Sequence, residues 1–369
     1  MNIIYQMPAK VIFGKGTVTL LPQEIKQYGE KVLLVSGKGK TSILAKEIGK
    51  VLETDGFQVV PFFQVEPNPS IETVRAGILL ALQEKVDMVI AIGGGSPLDT
   101  AKAIAASVGS DSIMEELLGI NKVKTALPVI AVPTTSGTGS EVTKYSILTM
   151  NHKKVSLVST HIVPKLAIVD PELTLDLPRN VTIDTGLDAL SHLLEGFFSR
   201  SSSPISDAYA KEGLKWFKYG YEGLLVTGDY QYRESLSMAS LLGGLTINTA
   251  SSGLAHAIGY PLTSNFGVPH GKANAMIMPH LFFWQKSEII KKYKEASEIL
   301  GYSDLCEGLI ALNHMSDIEP IMSGFSDTPE ENIINYAEEV VNNQRFMMSA
   351  PKTPNKEDII NMYRKLQWK

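Results

Sequence analysis

Four side chains spread along the second half of this sequence could together hold a transition metal. Asp188 and His192 stand in Thr185-Gly186-Leu187-Asp188-Ala189-Leu190-Ser191-His192, His256 in Gly253-Leu254-Ala255-His256-Ala257, and His270 in Gly267-Val268-Pro269-His270-Gly271. Asp188 and His192 are four apart in a segment patterned as a helix, so both leave the same face one turn apart. One carboxylate and three imidazoles, with no thiol, make a nitrogen/oxygen set suited to Fe(II) or Zn(II) rather than to a thiolate-bound structural zinc. Alone, an Asp/His pair at this spacing is more often an ion pair on a helix surface than a metal site, and only the flanking sequence changes that balance.

A second chemistry sits in the first half. Val86–Ile92 reads as a buried strand that enters Gly93-Gly94-Gly95-Ser96-Pro97, and Leu127–Val132 as another that enters Pro133-Thr134-Thr135-Ser136-Gly137-Thr138-Gly139-Ser140-Glu141. Three glycines allow close backbone approach, and a helix starting near Pro97 offers free N–H groups and a positive dipole end, which suits a pyrophosphate. Pro97 fits the first helical turn, where its missing N–H costs nothing. A tight glycine-rich turn without a ligand is the plainer alternative. Neither G-x-G-x-x-G nor G-x-x-x-x-G-K-[ST] occurs.

The elements that must position these groups alternate. Lys31–Gly37 and Phe57–Phe63 read as strands, with a helix over Thr41–Asp55 between them carrying Ile43, Leu44, Ile48, Val51 and Leu52 at helical spacing. Pro67-Asn68-Pro69-Ser70 reads as a turn with Ser70 capping a helix that carries Ile71, Val74, Ile78, Leu79 and Leu82 toward a core. Such alternation implies a mostly parallel sheet flanked by helices. Thr143–Met150 and Lys153–Val158 read as a hairpin turning at Asn151-His152, and Leu166–Val169 ends at Asp170-Pro171. Beyond Pro171 the pattern is helical: Ile183–Phe198, Pro204–Leu225, Arg233–Thr249 and three or four segments after His280. The expected organisation is an α/β nucleotide-binding domain over 1–170 and an all-α metal-binding domain over 171–369, with the ligands facing a cleft between them.

The 369 residues suit two domains, and 44% apolar with 20% charged residues is an ordinary globular composition. A formal charge of −5 gives no footprint for nucleic acid or for a membrane surface. No apolar run is long enough to span a bilayer, and no signal peptide is evident. Cys306 is the only cysteine; it reads as a small apolar residue, and a reducing cytoplasm is the expected compartment.

Taken together, the motifs resemble the iron-containing (group III) alcohol dehydrogenase family. The resemblance is carried, in order, by Pro67-Asn68-Pro69, Gly93-Gly94-Gly95-Ser96-Pro97-Leu98-Asp99, Pro133 through Thr143, Asp170-Pro171-Glu172-Leu173, Gly186 through His192, and Pro269-His270-Gly271. It covers nearly the whole chain, from Pro8–Gly16 to Thr353–Tyr363. The resemblance implies metal ligation by Asp188, His192, His256 and His270, with Fe(II) the metal and Zn(II) its substitute. It places Gly95 and Ser96, with Gly94 beside them, on the cofactor pyrophosphate. Thr134, Thr135, Thr143, Lys154 and Leu173 are implied around the rest of the dinucleotide, together with Asn68 and Asp99; Lys153 competes with Lys154. The implied reaction is hydride transfer between NAD(P)(H) and a small primary alcohol or aldehyde, with the metal as Lewis acid toward the substrate oxygen. A homodimer is the expected assembly. Two more distant readings share the fold: a dehydroquinate-synthase-like or glycerol-dehydrogenase-like enzyme, and a nucleotide-binding protein without catalysis. A dehydroquinate-synthase-like lyase needs a cluster of basic residues for a substrate phosphonate or phosphate, and the second half shows no such cluster near the ligands.

Two positions qualify the resemblance. Many family members carry a histidine four residues after the third ligand, where this chain has Tyr260; a tyrosine lines a pocket but is a poor substitute for imidazole near neutral pH. NAD-preferring relatives often have aspartate where this chain has Gly37, followed here by Lys38 and Lys40. Without a carboxylate against a 2′-phosphate, and with two cations near, NADP(H) is expected over NAD(H).

Overall fold

The structure is a computed structural model and describes residues 9–151, 153–318, 325 and 327–366. The chain forms two compact units, one ending at Asp176 and the other running from Leu177.

The first unit contains strands β1 (Lys10–Phe13), β2 (Lys31–Gly37), β3 (Gln58–Val65), β4 (Met88–Gly93), β5 (Gly119–Ile120), β6 (Val129–Pro133), β7 (Tyr145–Met150), β8 (Lys153–Val158) and β9 (Leu166–Val169). Its helices are α1 (Leu21–Ile25), α2 (Lys40–Thr54), α3 (Ile71–Glu84), α4 (Gly95–Ser110) and α5 (Met114–Leu117). Six strands form one sheet in the order β1-β9-β6-β4-β2-β3, every neighbour parallel. Parallel strands require crossovers, and helices on both faces bury them. Val32, Leu34, Ile90, Ile92, Ile130 and Val132 face one core together with Ala45 and Leu52 of α2. Leu33, Val35, Val89, Ala91, Val129 and Ala131 face the other, with Val74 of α3 and Leu98 and Ile104 of α4. The alternation explains why these strands read as continuous apolar runs.

After β2 the chain goes outward to β3, then returns past β2 to β4. The carboxyl ends of β2 and β4 therefore flank a topological switch point, where open α/β sheets bind ligands. Gly37 closes one of these strands and Gly93 the other.

Several expectations are refined. The hairpin forms as β7 and β8, antiparallel with Tyr145 opposite Val158, but β5 joins β8 to make a separate three-stranded sheet; a two-residue strand carries no periodic signal. His152 lies outside the described residues. Ser70 caps α3 through its side chain, accepting from Thr73 N–H. Leu79 and Leu82 do not face the core: they are 69% and 50% exposed. At ~100° per residue Leu79 lies about 140° around the helix from Val74. Gly77 and Ala81 occupy the inner face instead.

The second unit is helical throughout its described residues: α6 (Arg179–Phe198), α7 (Pro204–Val226), α8 (Tyr230–Ala250), α9 (Leu254–Phe266), α10 (His270–Leu300), α11 (Leu305–Met315), α12 (Glu330–Asn342), α13 (Gln344–Ser349) and α14 (Lys356–Lys365). The helix expected after His280 in fact begins at His270. From Gly186 to Phe198 every residue of α6 is buried, as befits a helix surrounded on all sides; α7, α8, α9 and α10 pack on it. No helix among the described residues is long and apolar enough to cross a membrane.

Candidate metal centre and dinucleotide loop

Helix α6 carries Asp188, His192 and Glu195 at i, i+4 and i+7, one stripe of its surface. His256 is in the first turn of α9, and His270 opens α10. The three helices bring four donor atoms together. Asp188 Oδ1 lies 3.9 Å from His192 Nε2, 3.7 Å from His256 Nε2 and 3.9 Å from His270 Nε2. The Nε2 atoms of His192 and His256 are 2.9 Å apart. Asp188, His256 and His270 offer ligand atoms that all fall within 4.8 Å of one another. Donors about 2.1 Å from one ion stand roughly 3.0 Å apart at octahedral edges and roughly 3.4 Å at tetrahedral ones. The observed spacings bracket those values: Asp188, His256 and His270 fit one divalent ion, and His192 adjoins them through Asp188 and His256.

The sequence 269–271 acquires its reason here. Pro269 caps α10, which places His270 at the first helical position. A Cβ on Gly271 would lie 1.8 Å from the Asp184 carbonyl oxygen; only glycine lets α10 begin against α6. Asp184 Oδ1 then accepts from Lys272 N–H at 3.0 Å, closing the helix start.

Surrounding groups fix these side chains. Glu195 Oε2 is hydrogen-bonded to His256 Nδ1 and accepts from Gly253 N–H, while Oε1 accepts from Ala255 N–H. The carboxylate thus binds the start of α9 and turns His256 Nε2 toward Asp188. Asn274, four residues after His270, donates to Asp188 Oδ1 and Ser191 Oγ, both at 3.3 Å. Tyr260 stacks on the His270 ring at 5.5 Å between centroids and meets Phe346 edge-on. Burial pushes the Asp188 carboxyl above its ordinary range, opposed by the His270 imidazole, and pushes Glu195 up to about 7. Burial also holds His256 well below its ordinary value, which favours the neutral imidazole that ligates metals. A bound cation reverses the penalty on the carboxylates.

In the first unit, Asn68, Gly94, Gly95, Ser96, Thr134, Thr135 and Lys154 are linked by contacts around the loop after β4. Gly93 has φ +150°, and a Cβ there would lie 2.6 Å from Pro97 Cγ. Gly94 caps α4, and Gly95 and Ser96 form its first turn. Thr134 N–H donates to Gly93 O, tying the two loops together. Ser96 Oγ accepts from Asn68 N–H, and Lys154 Nζ donates to Asn68 Oδ1 at 2.6 Å. Lys154 is the lysine turned to this loop; Lys153 is exposed at the start of β8. Burial lowers Lys154 to about 8. Thr135 lies against Gly94. Leu173 sits in a 3-10 turn over Pro171–Thr174, packed against the sheet face that holds Ile92 and Val132. Gly37 lies at the end of β2 with exposed Lys38 and Lys40 after it.

Asp99 and Thr143 are engaged within the protein. Asp99 accepts from Ser140 Oγ at 2.6 Å and Ile147 N–H at 2.9 Å. Thr143 Oγ1 accepts from Lys102 Nζ at 3.2 Å. Fully buried Lys102 also donates to Ser140 Oγ and Tyr145 O, bracing the 133–143 loop from below; burial lowers it to about 8. Sequence reasoning missed Lys102, Glu195 and Asn274. A lysine inside the apolar run of α4 and a Glu continuing the Asp188–His192 stripe were available signals. Asn274 had only its four-residue distance from His270.

Residues 8–171 match the family model described as iron-containing alcohol dehydrogenase, and residues 182–367 match its counterpart, Fe-containing alcohol dehydrogenase family, C-terminal. The chain is 33% identical over 305 residues to 1,3-propanediol dehydrogenase of Klebsiella pneumoniae, covering 80% of this chain and 79% of that protein. It is 34% identical over 300 residues to the NAD-dependent methanol dehydrogenase of Bacillus methanolicus, covering 80% and 78%. Among solved structures, an iron-containing alcohol dehydrogenase of Thermotoga maritima superposes with TM-score 0.91 at 33% identity over 99% of each chain.

Proposed function

The chain belongs to the iron-containing alcohol dehydrogenase family, and from that premise we propose that it exchanges hydride between a nicotinamide dinucleotide and a small primary alcohol or aldehyde at an Fe(II) centre held by Asp188, His192, His256 and His270. Oxidoreduction of alcohols and aldehydes is the established part of this reading. The observation that supports the metal assignment is the convergence of four donor atoms from three helices. When bound, the ion supplies Lewis acidity toward the substrate oxygen and the dinucleotide supplies hydride exchange.

The chain's own residues do the positioning. Glu195 aims His256, Asn274 fixes the Asp188 carboxylate, and Tyr260 covers one face of the His270 ring. In the first unit, Gly94, Gly95 and Ser96 offer the N-terminal amides of α4 to a pyrophosphate. Lys154, Asn68, Thr134 and Thr135 surround that loop, Leu173 packs on the sheet face close in sequence to β9, and Asp99 and Thr143 are held through Ser140 and Lys102.

The test is oxidation of NADH or NADPH by a short aldehyde after metal stripping and reloading. Activity should vanish with chelator and return best with Fe(II), more weakly with Zn(II). Full turnover by protein confirmed metal-free by elemental analysis sinks the metal assignment. A finer reading, preference for NADP(H), rests on Gly37 with Lys38 and Lys40. The methanol dehydrogenase relative is NAD-dependent by name, which weighs the other way.

A further inference from the structure

We infer that the helical unit carries a second ligand site, for an organic carboxylate with an apolar body, in a cavity of about 300 Å³ at the start of α6, the end of α7 and the start of α8. It goes beyond the alcohol-binding reading and uses none of the metal-binding groups. Arg179 is nine residues before Asp188 on α6, which is roughly 13 Å along the helix axis.

Two arginines line the cavity, Arg179 and Arg233. Arg233 is 8% exposed, and no carboxylate pairs with it among the described residues. Its Nη1 donates to Thr182 Oγ1 at 2.6 Å and its Nη2 to Leu177 O at 3.4 Å. Its buried Nε has no hydrogen-bond partner there. A buried guanidinium whose partners are all neutral oxygens is an unfavourable arrangement, which negative charge in the adjoining cavity offsets. Burial alone lowers the Arg233 pKa, with no nearby acid opposing it. Arg179 supplies a second cation at the exposed side, where its Nη1 donates to Leu225 O. Ile183, Leu224 and Leu225 add apolar lining. The volume suits a small organic molecule rather than a bare inorganic ion. An anionic head on the guanidinium groups and an aliphatic body on the leucine side satisfy both halves of this lining.

The experiment titrates hexanoate into the metal-loaded full-length protein by calorimetry, with hexanol and inorganic phosphate as matched probes. Hexanoate should bind saturably, and hexanol and phosphate at least about tenfold more weakly. Arg179→Ala removes an exposed side chain and keeps the fold; it should weaken hexanoate about tenfold, and Arg233→Lys should do the same. In turnover assays hexanoate should leave the alcohol KM unchanged. Hexanoate that competes with alcohol and binds both variants as tightly as wild type is sitting on the metal, and that result overturns the site. Phosphate binding as tight as hexanoate removes the apolar half of the inference, and an absence of saturable binding removes all of it.

Discussion

At the scale of single residues, the proposed metal centre depends on one carboxylate that is not among its four ligating groups. Glu195 joins His256 Nδ1 to two amides at the start of α9, so removing its charge loosens a ligand without deleting one. Glu195→Gln should lower Fe(II) affinity about 10–100-fold, read by metal titration, with helix content unchanged. His256→Ala and His270→Ala should each empty the site in elemental analysis. His314→Ala should not, because His314 is exposed in the last turn of α11. Equal metal content in all these variants would leave the four-ligand centre without support.

At the scale of elements, helix starts do much of the placing. Gly271→Ala drives a methyl group into the backbone of α6 and should destabilise the protein by about 3 kcal/mol or more, with His270 displaced. Urea midpoint and metal content are the measurements, and a wild-type value for both contradicts the packing described. Asp304 starts α11 by accepting from Cys306 and Glu307 N–H, and also receives Lys286 Nζ and Tyr293 Oη. The Lys286 hydrogen bond and these other donors hold its carboxyl down to about 2. An unfolded aspartate titrates near ~3.9, so this contribution is present above about pH 4 and disappears as pH falls from about 4 to 2. Asp304→Ala should cost about 1 kcal/mol at neutral pH. Thermal melts of the two proteins should converge as pH falls through that window; a constant gap down to pH 2 refutes the assignment.

At the scale of the molecule, each unit is stabilised by its own apolar core. The helical unit packs a continuous apolar cluster running from Ile183 to Leu366, to which the four metal-site side chains do not belong. Chelation should abolish turnover yet keep the far-UV circular dichroism of the loaded protein, lowering the melting temperature only by the linkage of a bound ion. Collapse of helicity on chelation would make the site a structural one. In the first unit, Gly37 stands at the switch point with ordinary contacts waiting for a Cβ, Val65 O at 3.5 Å and Pro97 Cγ at 3.8 Å. Gly37→Asp therefore folds and should shift the NADP(H)/NAD(H) ratio of kcat/KM toward NAD(H). Wild type favouring NAD(H), with no change in the variant, removes the role given to Gly37.

The sequence by itself determined whatever depends on local period and residue type. The β2, β4 and β6 runs declare a sheet buried on both faces, Ser70 a helix start, and the spacing of Asp188 and His192 a shared helical face. These are short-range consequences of backbone geometry, visible wherever the pattern is long enough. Tertiary structure decided which separate segments meet. It brought His256 and His270 to Asp188, made Glu195 and Asn274 their supports, turned Lys154 rather than Lys153 toward Asn68, and placed Lys102 beneath the 133–143 loop. It also exposed Leu79 and Leu82, because a helix's inner face is chosen by what it packs on and not by which side is most apolar. Glu195 and Lys102 looked ordinary in the chain because a buried charge is recognised by its partners, and those partners are 38 to 61 residues away.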